Sequence, residues 1–524
     1  MIKFVTRAIV IAVLFSALFT MGQGFAAEKV SNDELIHLQI VTVNDFHGAL
    51  IENGKNIGAA KLVQYLIEER TKNPTGTLLL SAGDMFQGSL DSNLLYGKPV
   101  VDVMNYVKFD AMTLGNHEFD WGISILKERM AQSQFPYLCG NIVDKKTGKP
   151  IDFVKPYIIL ERKGIKIAVI GIATPETAIK TNPKIIENYT FLDPATAVHA
   201  LLPEVKQKGA EIIILLTHLG STMDGEGNIT GDAALLARQV TGIDGIVSGH
   251  SHQIVYGQVN DISIVQAAYN GRAVGKIELL FNKQTHKVEK AIPSVNLLPY
   301  PGLQADLRMQ EIINQAEQEI EPVKNIVVGK TISALSHDRY ELKETKLGQW
   351  VTDTMRQATK ADIAFQNTGG LRTGIPAGNI TMGNLYEVIP FNNTLYTVEM
   401  SGQEIIEVLE YGLRNEKIGM LQYSGINVSY QIRGEERGQI LSVRMINGTP
   451  LNLSQTYKVV TNDFMAAGGD GYIFFKKGKH LYDTCITLRD IIADEIRSQK
   501  VIHFIEDNRF DSKDISQSNQ QTAA

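Results

Sequence analysis

Apolar and polar positions along this chain are grouped in blocks. Between residues 37 and about 280, the β-branched runs LQIVTVND, TLLLSAGD, AMTLGNHE, IKIAVIGIA, EIIILLTH and GIVSGHSH are separated by stretches of helical spacing. Continuous apolar runs of this length predict strands buried on both faces between layers of helix, an α/β unit. Five of the six runs carry Asp, Asn or His at the carboxyl end. Ligands of open α/β sheets sit beyond that end of the strands, so the chemistry is expected there.

Around LLPYPGLQ, residues 297–304, two prolines and a glycine punctuate the pattern. Met309, Ile313, Ala316 and Ile320 then recur at +4, +3 and +4, predicting an amphipathic connecting helix that stops before Pro322. A second unit follows, with Leu347, Val351, Thr354 and Ala358 at helical spacing and β-branched stretches near 394–400 and 457–461. The tail DSKDISQSNQQTAA is polar and aperiodic, which predicts disorder. At the other end, Lys3 and Arg7 precede an apolar run from Ala8 to Met21 and then small residues, the layout of a signal peptide cleaved after Ala26. The expected division is therefore a signal peptide at 1–26, a first domain at 35–298, a linker helix at 299–325, a second domain at 326–508 and a disordered tail at 509–524.

Composition changes this picture little. At 524 residues, 44% hydrophobic and 21% charged, the chain has the size of two ordinary globular domains. No second segment reaches membrane-spanning length, so a periplasmic or secreted protein without a stable span after cleavage is expected. A net charge of −6 argues against a nucleic-acid polymer as partner, but not against a small phosphorylated substrate. Cys139, in the apolar stretch FPYLCGNIV, reads as a buried small residue, and it and Cys485 are expected to be free thiols.

The polar strand ends supply Asp45 and His47 (NDFHG), Asp84 (SAGD), Asn116 and His117 (GNHE), His218 (LLTHLG), and His250 and His252 (SGHSH). Carboxylates with neutral imidazoles suit borderline divalent metals. Asp-x-His and His-x-His on extended strand ends would each project two side chains to one face. Taken singly, Asp84 reads equally as a helix cap, and Asn116 as a turn former. Together, five of the eleven histidines lie at strand ends, on one shared edge if the sheet is parallel.

In that order, NDFHG, GD, GNHEFD, a lone strand-end His and GHSH resemble the calcineurin-like metallophosphoesterases. With NTGGLR, PFNNTL and NDFMAAGGDGY downstream, the chain resembles the 5′-nucleotidase family over residues 37 to 505. The resemblance implies a four-layer α/β/β/α metallophosphoesterase domain joined by the linker helix to a C-terminal α/β substrate-binding domain. It also implies two divalent ions, zinc, manganese or cobalt. One would be held by Asp45, His47 and His252, the other by Asn116, His218 and His250, with Asp84 bridging; bacterial members carry Gln where this chain has His252. The implied reaction is attack on phosphorus by a hydroxide held between the ions. His117, oriented by Asp120, would stabilise the transition state or protonate the leaving oxygen. Glu118 is assigned to structure, and Trp121 is expected to pack beneath the loop.

In the second domain, Phe391 and Phe464 alone would read as core residues; the resemblance makes them a stacking clamp for a base. It assigns nucleoside contacts to Asn393 and Asp470, and phosphate-side contacts to Asn367 and Arg372. One departure concerns the phosphate arginines, R-x-x-x-R-x-x-E-T in the family. Here SHDRYELKETKLG places His337 and Glu341 at those positions, with Arg339 and Lys343 near but out of register. An acid there is expected to repel a 5′-phosphate, unless Arg339 substitutes. Nucleoside 5′-monophosphates are the leading expected substrates, with UDP-sugars, nucleotide diphosphates and 2′,3′-cyclic nucleotides as alternatives. A non-catalytic surface binding protein and a phosphoesterase for non-nucleotide esters are the remaining classes.

Overall fold

The computed structural model describes residues 35–514 apart from Lys55, Gly434 and Glu435. The expected signal peptide and the end of the tail lie outside the described residues. Two six-stranded sheets build the first domain. In the first, strands Leu35–Val43, Thr77–Ser81, Ala111–Thr113 and Tyr137–Leu138 run parallel, and Ala273–Asn282 and Lys287–Leu297 complete the antiparallel flank. In the second, Ile165–Ile172, Ile212–Thr217, Gly245–Val247 and Ile262–Ala267 are parallel, edged by Tyr157–Arg162 and Ile254–Val259.

The apolar runs are continuous because each strand buries both faces. Leu38, Ile40, Leu78 and Leu80 meet Ile167, Val169, Ile214 and Leu216 between the sheets. The alternate residues Val41, Val43 and Leu79 pack outward against Leu62, Val63 and Leu66 of helix Gly58–Lys72. On the far side, Ala168, Ile170, Ile213 and Leu215 pack against Val198, Leu202 and Val205 of helix Pro194–Gln207. The layers are thus helix, sheet, sheet, helix. The polar strand ends therefore come from two facing sheets, not from the edge of one.

The connecting helix, Leu307–Lys324, starts at an Asp306 cap whose Oδ1 accepts from Met309 N at 2.7 Å, and it buries Met309, Ile313 and Ile320. It does not stop before Pro322. That proline sits exposed in the last turn, so only one backbone bond near the helix end is lost to it, and the helix closes with Asn325 N donating to Glu321 O.

The second domain centres on a five-stranded sheet ordered Gln422–Ser424, Ile363–Gln366, Thr456–Asn462, Thr394–Ser401, Lys479–Thr487. Helices Lys346–Thr359 and Leu488–Gln499 cover one face, through Val351, Met355 and Ile492 against Ala364, Leu395 and Val460. Helix Gly402–Gly412 covers the other. The tail expected to be disordered from 509 contributes strand Phe510–Asp514, parallel to Ile426–Arg433. Arg509, paired with Asp353 at 2.7 Å, and the Phe510 ring, 5.2 Å from Tyr430, outweigh the polar composition there. Both cysteines are free, Cys139 buried and Cys485 exposed. Among the described residues, no helix is long and apolar enough to cross a membrane.

Candidate active site

The strand-end residues of the two sheets converge. Asp45, His47 and His252 form one group and Asp84, His218 and His250 another, with ligand atoms in each lying within 4.8 Å of one another. Each group draws from both sheets, so the site exists only because the sheets face each other. The side chains are not on extended strand ends as expected. Asp45, His47, Asp84, His250 and His252 all have positive φ, between 49° and 74°, in turns just past the strands. Left-handed non-glycine residues clustered in this way mark backbone strain held by surrounding contacts, a frequent feature of ligand sites.

Main-chain bonds hold that geometry. Asp45 accepts from His250 N at 3.0 and 3.1 Å and from Asn44 Nδ2 at 2.7 Å. Asp84 accepts from His117 N at 2.9 Å, and a Cβ at Gly115 would collide with its carboxylate. Glu118, assigned to structure from the sequence, accepts from Gly115 N, Asp84 N and Met85 N at 2.7–2.8 Å and staples the two loops together. Its burial pushes it up to about 7.

The donor set fits divalent cations. His47 Nδ1 donates to Gln87 O at 2.8 Å and His218 Nδ1 to Ala82 O at 2.6 Å, so each ring turns its Nε2 toward its group. His47 Nε2 lies 3.0 Å from His252 Nε2, which is 3.4 Å from Asp45 Oδ1. His218 Nε2 lies 3.0 Å from Asp84 Oδ2 but without hydrogen-bond geometry, and both it and Asn116 Oδ1 are buried without a hydrogen-bond partner. Burial and the His252 charge hold His47 at about 3, so its ring stays neutral, as a metal ligand requires. Burial opposes charge on His218, yet the Asp84 carboxylate pushes it up to about 10, so this group calls for positive charge. Asp84 itself is held well below the usual carboxylate range, burial being outweighed by His218 and His117.

Beside these groups, His117 Nδ1 meets Asp120 Oδ2 at 2.6 Å, and Thr181 Oγ1 fixes the other Asp120 oxygen at 3.1 Å. Burial would lower His117, but Asp120 and Asp84 raise it. Its ring stacks 6.2 Å from Phe391 of the second domain, at 21°. Trp121 packs against the core of the first domain, edge-on to Tyr96 at 5.8 Å, and also lines the cleft.

A cleft of about 1230 Å³ separates the domains, lined by Asp84, Asn116, His117 and His250 on one wall. Asn367, Arg372, Phe391, Asn393, Phe464 and Asp470 line the other. The Arg372 guanidinium lies 5.5 Å over the Phe391 ring, and burial together with nearby Arg339 lowers it to about 10. Arg339 also lines the cleft, bonded to Tyr340 OH at 2.8 Å. Glu341, expected to repel a phosphate, is exposed and paired with Lys343 at 3.0 Å, and it is not among the residues lining the cleft. His337 points inward, bonded to Thr345 Oγ1 and Leu371 O at 2.8 and 3.0 Å.

The sequence reading missed residues 176–184, ETAIKTNPK, which carry no periodicity or motif. Glu176 Oε2 accepts from His250 Nε2 at 2.9 Å. Across the cleft, Lys180 pairs with Asp470 at 3.2 Å, Asn182 donates to Asp463 at 2.8 Å, and Lys184 reaches Tyr396 OH. Asn367 takes the other Asp470 oxygen at 2.9 Å, and Asn393 donates to Asp463 at 2.7 Å.

Comparison with known proteins agrees with this geometry. Residues 38–254 match the family described as calcineurin-like phosphoesterase, and residues 326–477 match 5′-nucleotidase, C-terminal domain. A 5′-nucleotidase of Vibrio cholerae is 31% identical over 516 residues, 90% of this chain and 91% of that protein. The crystal structure of a 5′-nucleotidase precursor from Thermus thermophilus superposes with a TM-score of 0.77 at 28% identity, over 91% of this chain and 99% of that one. Endonuclease YhcR of Bacillus subtilis is 31% identical over 468 residues, 84% of this chain, and the chain spans 38% of YhcR's length. Two-domain architecture, matched segments and full-length similarity together establish that this chain belongs to the 5′-nucleotidase family.

Proposed function

We propose that the chain is an exported, dimetal-dependent phosphohydrolase that releases phosphate from nucleotides, nucleoside 5′-monophosphates first among them. One observation carries the reading. Two groups of candidate ligand side chains, each with its ligand atoms within 4.8 Å of one another, face, across one cleft, a wall bearing two phenylalanines and two arginines.

Asp45, His47 and His252 would hold one cation, and Asn116, His218 and His250 the other, with Asp84 touching both. Such ions supply Lewis-acid polarisation of phosphoryl oxygens and lower the pKa of water. His117, raised by Asp120 and Asp84, holds a proton at Nδ1 toward Asp120, and Nε2 is the atom left to protonate the leaving oxygen. Arg372 and Arg339 neutralise the phosphate, so Arg339 takes the role of the out-of-register arginines. Phe391 and Phe464 stack the base, which discriminates poorly among bases. Asn393 and Asp470 hold the nucleoside, and Asn367 keeps Asp470 in place. Export rests on the layout of residues 1–26.

The cleft volume favours a second reading. At about 1230 Å³ it exceeds the range of roughly 300–1,000 Å³ for small-ligand pockets, which leaves room for a nucleotide diphosphate or UDP-sugar. The test is hydrolysis by the mature protein, chelated and then supplied with manganese, cobalt or zinc, with free phosphate and the nucleotide products both measured. AMP, ADP, UDP-glucose, 2′,3′-cyclic AMP and glycerol phosphate are compared. Fast release from AMP is expected. Preference for ADP or UDP-glucose would establish the second reading, and no release with metal bound would overturn both.

A further inference from the structure

Of the four imidazoles in the two ligand groups, three are fixed through the ring nitrogen that faces away from the centre. His47 and His218 donate to the carbonyls of Gln87 and Ala82 at 2.8 and 2.6 Å, and His250 to the Glu176 carboxylate at 2.9 Å. His252 is held differently. Its polar contacts are to His47 and Asp45, members of its own group. Its ring face lies instead on Tyr269, centroids 4.8 Å apart and planes at 18°. The Arg272 guanidinium lies 4.3 Å from the centroid of that tyrosine's ring and donates to its hydroxyl at 2.6 Å. Asn56 Oδ1 in turn accepts from Arg272 Nε at 2.9 Å.

The stack is built into the turn at residues 268–272. Ala268, Asn270 and Gly271 have positive φ there. Asn270 N donates to Asp45 O at 2.8 Å and Ala268 N to Gln253 O at 3.0 Å. One turn is thus bonded both to the carboxylate ligand and to the residue after His252. At Gly271 an added Cβ would press on Leu62 and Phe46, so the turn has little freedom to shift.

We propose that Tyr269, backed by Arg272, is the positioning residue for His252 and sets how tightly the Asp45–His47–His252 group holds its cation. This rests on the two-cation reading above. An aromatic face restrains ring tilt without fixing a tautomer, whereas a carbonyl or carboxylate partner fixes both. The first group therefore has the more adjustable ligand, and its affinity depends on the ring behind it.

The test titrates Mn²⁺ into the metal-free full chain, with electron paramagnetic resonance counting bound ions and reading their spin coupling. Wild type is expected to bind two ions and show a coupled pair. Tyr269→Leu is expected to bind one ion normally and the other about tenfold more weakly, losing the coupled signal at sub-saturating metal. Tyr269→Phe, which keeps the ring, is expected to restore wild-type binding. Arg272→Gln is expected to weaken the same ion by about threefold, and it carries the test should Tyr269→Leu not fold. Two wild-type affinities in Tyr269→Leu, or in Arg272→Gln where that stands in, would overturn this proposal and leave the functional reading intact. A wild-type chain that binds no Mn²⁺ would overturn both.

Discussion

The two walls of the cleft are built on opposite principles. The metal-facing wall consists of residues within a few positions of strand ends, fixed by main-chain donors and carbonyls of the same domain. The opposite wall draws on loops and single helical turns, and its carboxylates, Asp463 and Asp470, are shared between their own domain and side chains from across the cleft. The first wall is set when the sheets pack; the second is completed when the domains meet. Chemistry that tolerates little displacement belongs on the first wall and adaptable recognition on the second.

Substitutions on the two walls should fail differently. Asp84→Ala, at the centre of the first wall, is expected to lower kcat on the order of a thousandfold or more while leaving the fold intact, as steady-state phosphate release and circular dichroism will show. His117→Asn should lower kcat by about 10²–10⁴-fold with little change in metal content, because it removes a proton donor and not a ligand. Phe464→Ala should act on recognition alone. KM for AMP is expected to rise about tenfold to a hundredfold, while a substrate without a ring to stack, such as glycerol phosphate, is turned over unchanged. Lys180→Ala removes one part-exposed bridge between the walls, and an effect of about twofold to fivefold on KM is expected. If Lys180→Ala cost as much as Asp84→Ala, the contrast between the walls would collapse.

The smallest expected effect lies away from both walls. Burial pushes the Glu344 carboxyl up to about 8 against the opposing pull of Arg509, and its Oε1 has no hydrogen-bond partner. A folded value above the unfolded one, about 4.3, means the native state binds the extra proton. Its contribution to stability is therefore fully present below about pH 4 and lost as pH rises through 8. Glu344→Gln should raise Tm by about a few degrees at pH 8 and change it little at pH 5, measured by calorimetry.

The metal wall was legible in the sequence because its chemistry sits in short motifs at the ends of apolar runs. Asp45, Asp84, Asn116 and His218 could be picked out before any fold was known. That their strands divide between two sheets was not visible in local pattern, since a strand buried by a second sheet and one buried by helices look alike. The left-handed turns were missed for a related reason: Asp-x-His fits an extended strand as well as a turn. The other wall was legible only through the family resemblance, because Phe391 and Phe464 carry no local signal separating a clamp from a core. Lys180, Asn182, Tyr269 and Arg272 were invisible altogether, since each acts through a partner remote in the chain. The register shift at Arg339 shows the limit of matching positions one by one: a turn moves the cation into the cleft and the Glu341 acid out of it.

The most direct test of the whole account is a crystal structure of the mature protein grown with Mn²⁺ and a nucleoside, with an anomalous difference map. Two anomalous peaks are expected, one at Asp45–His47–His252 and one at Asn116–His218–His250, with Asp84 between them and the base lying between Phe391 and Phe464. A single peak, or peaks away from these residues, would contradict it.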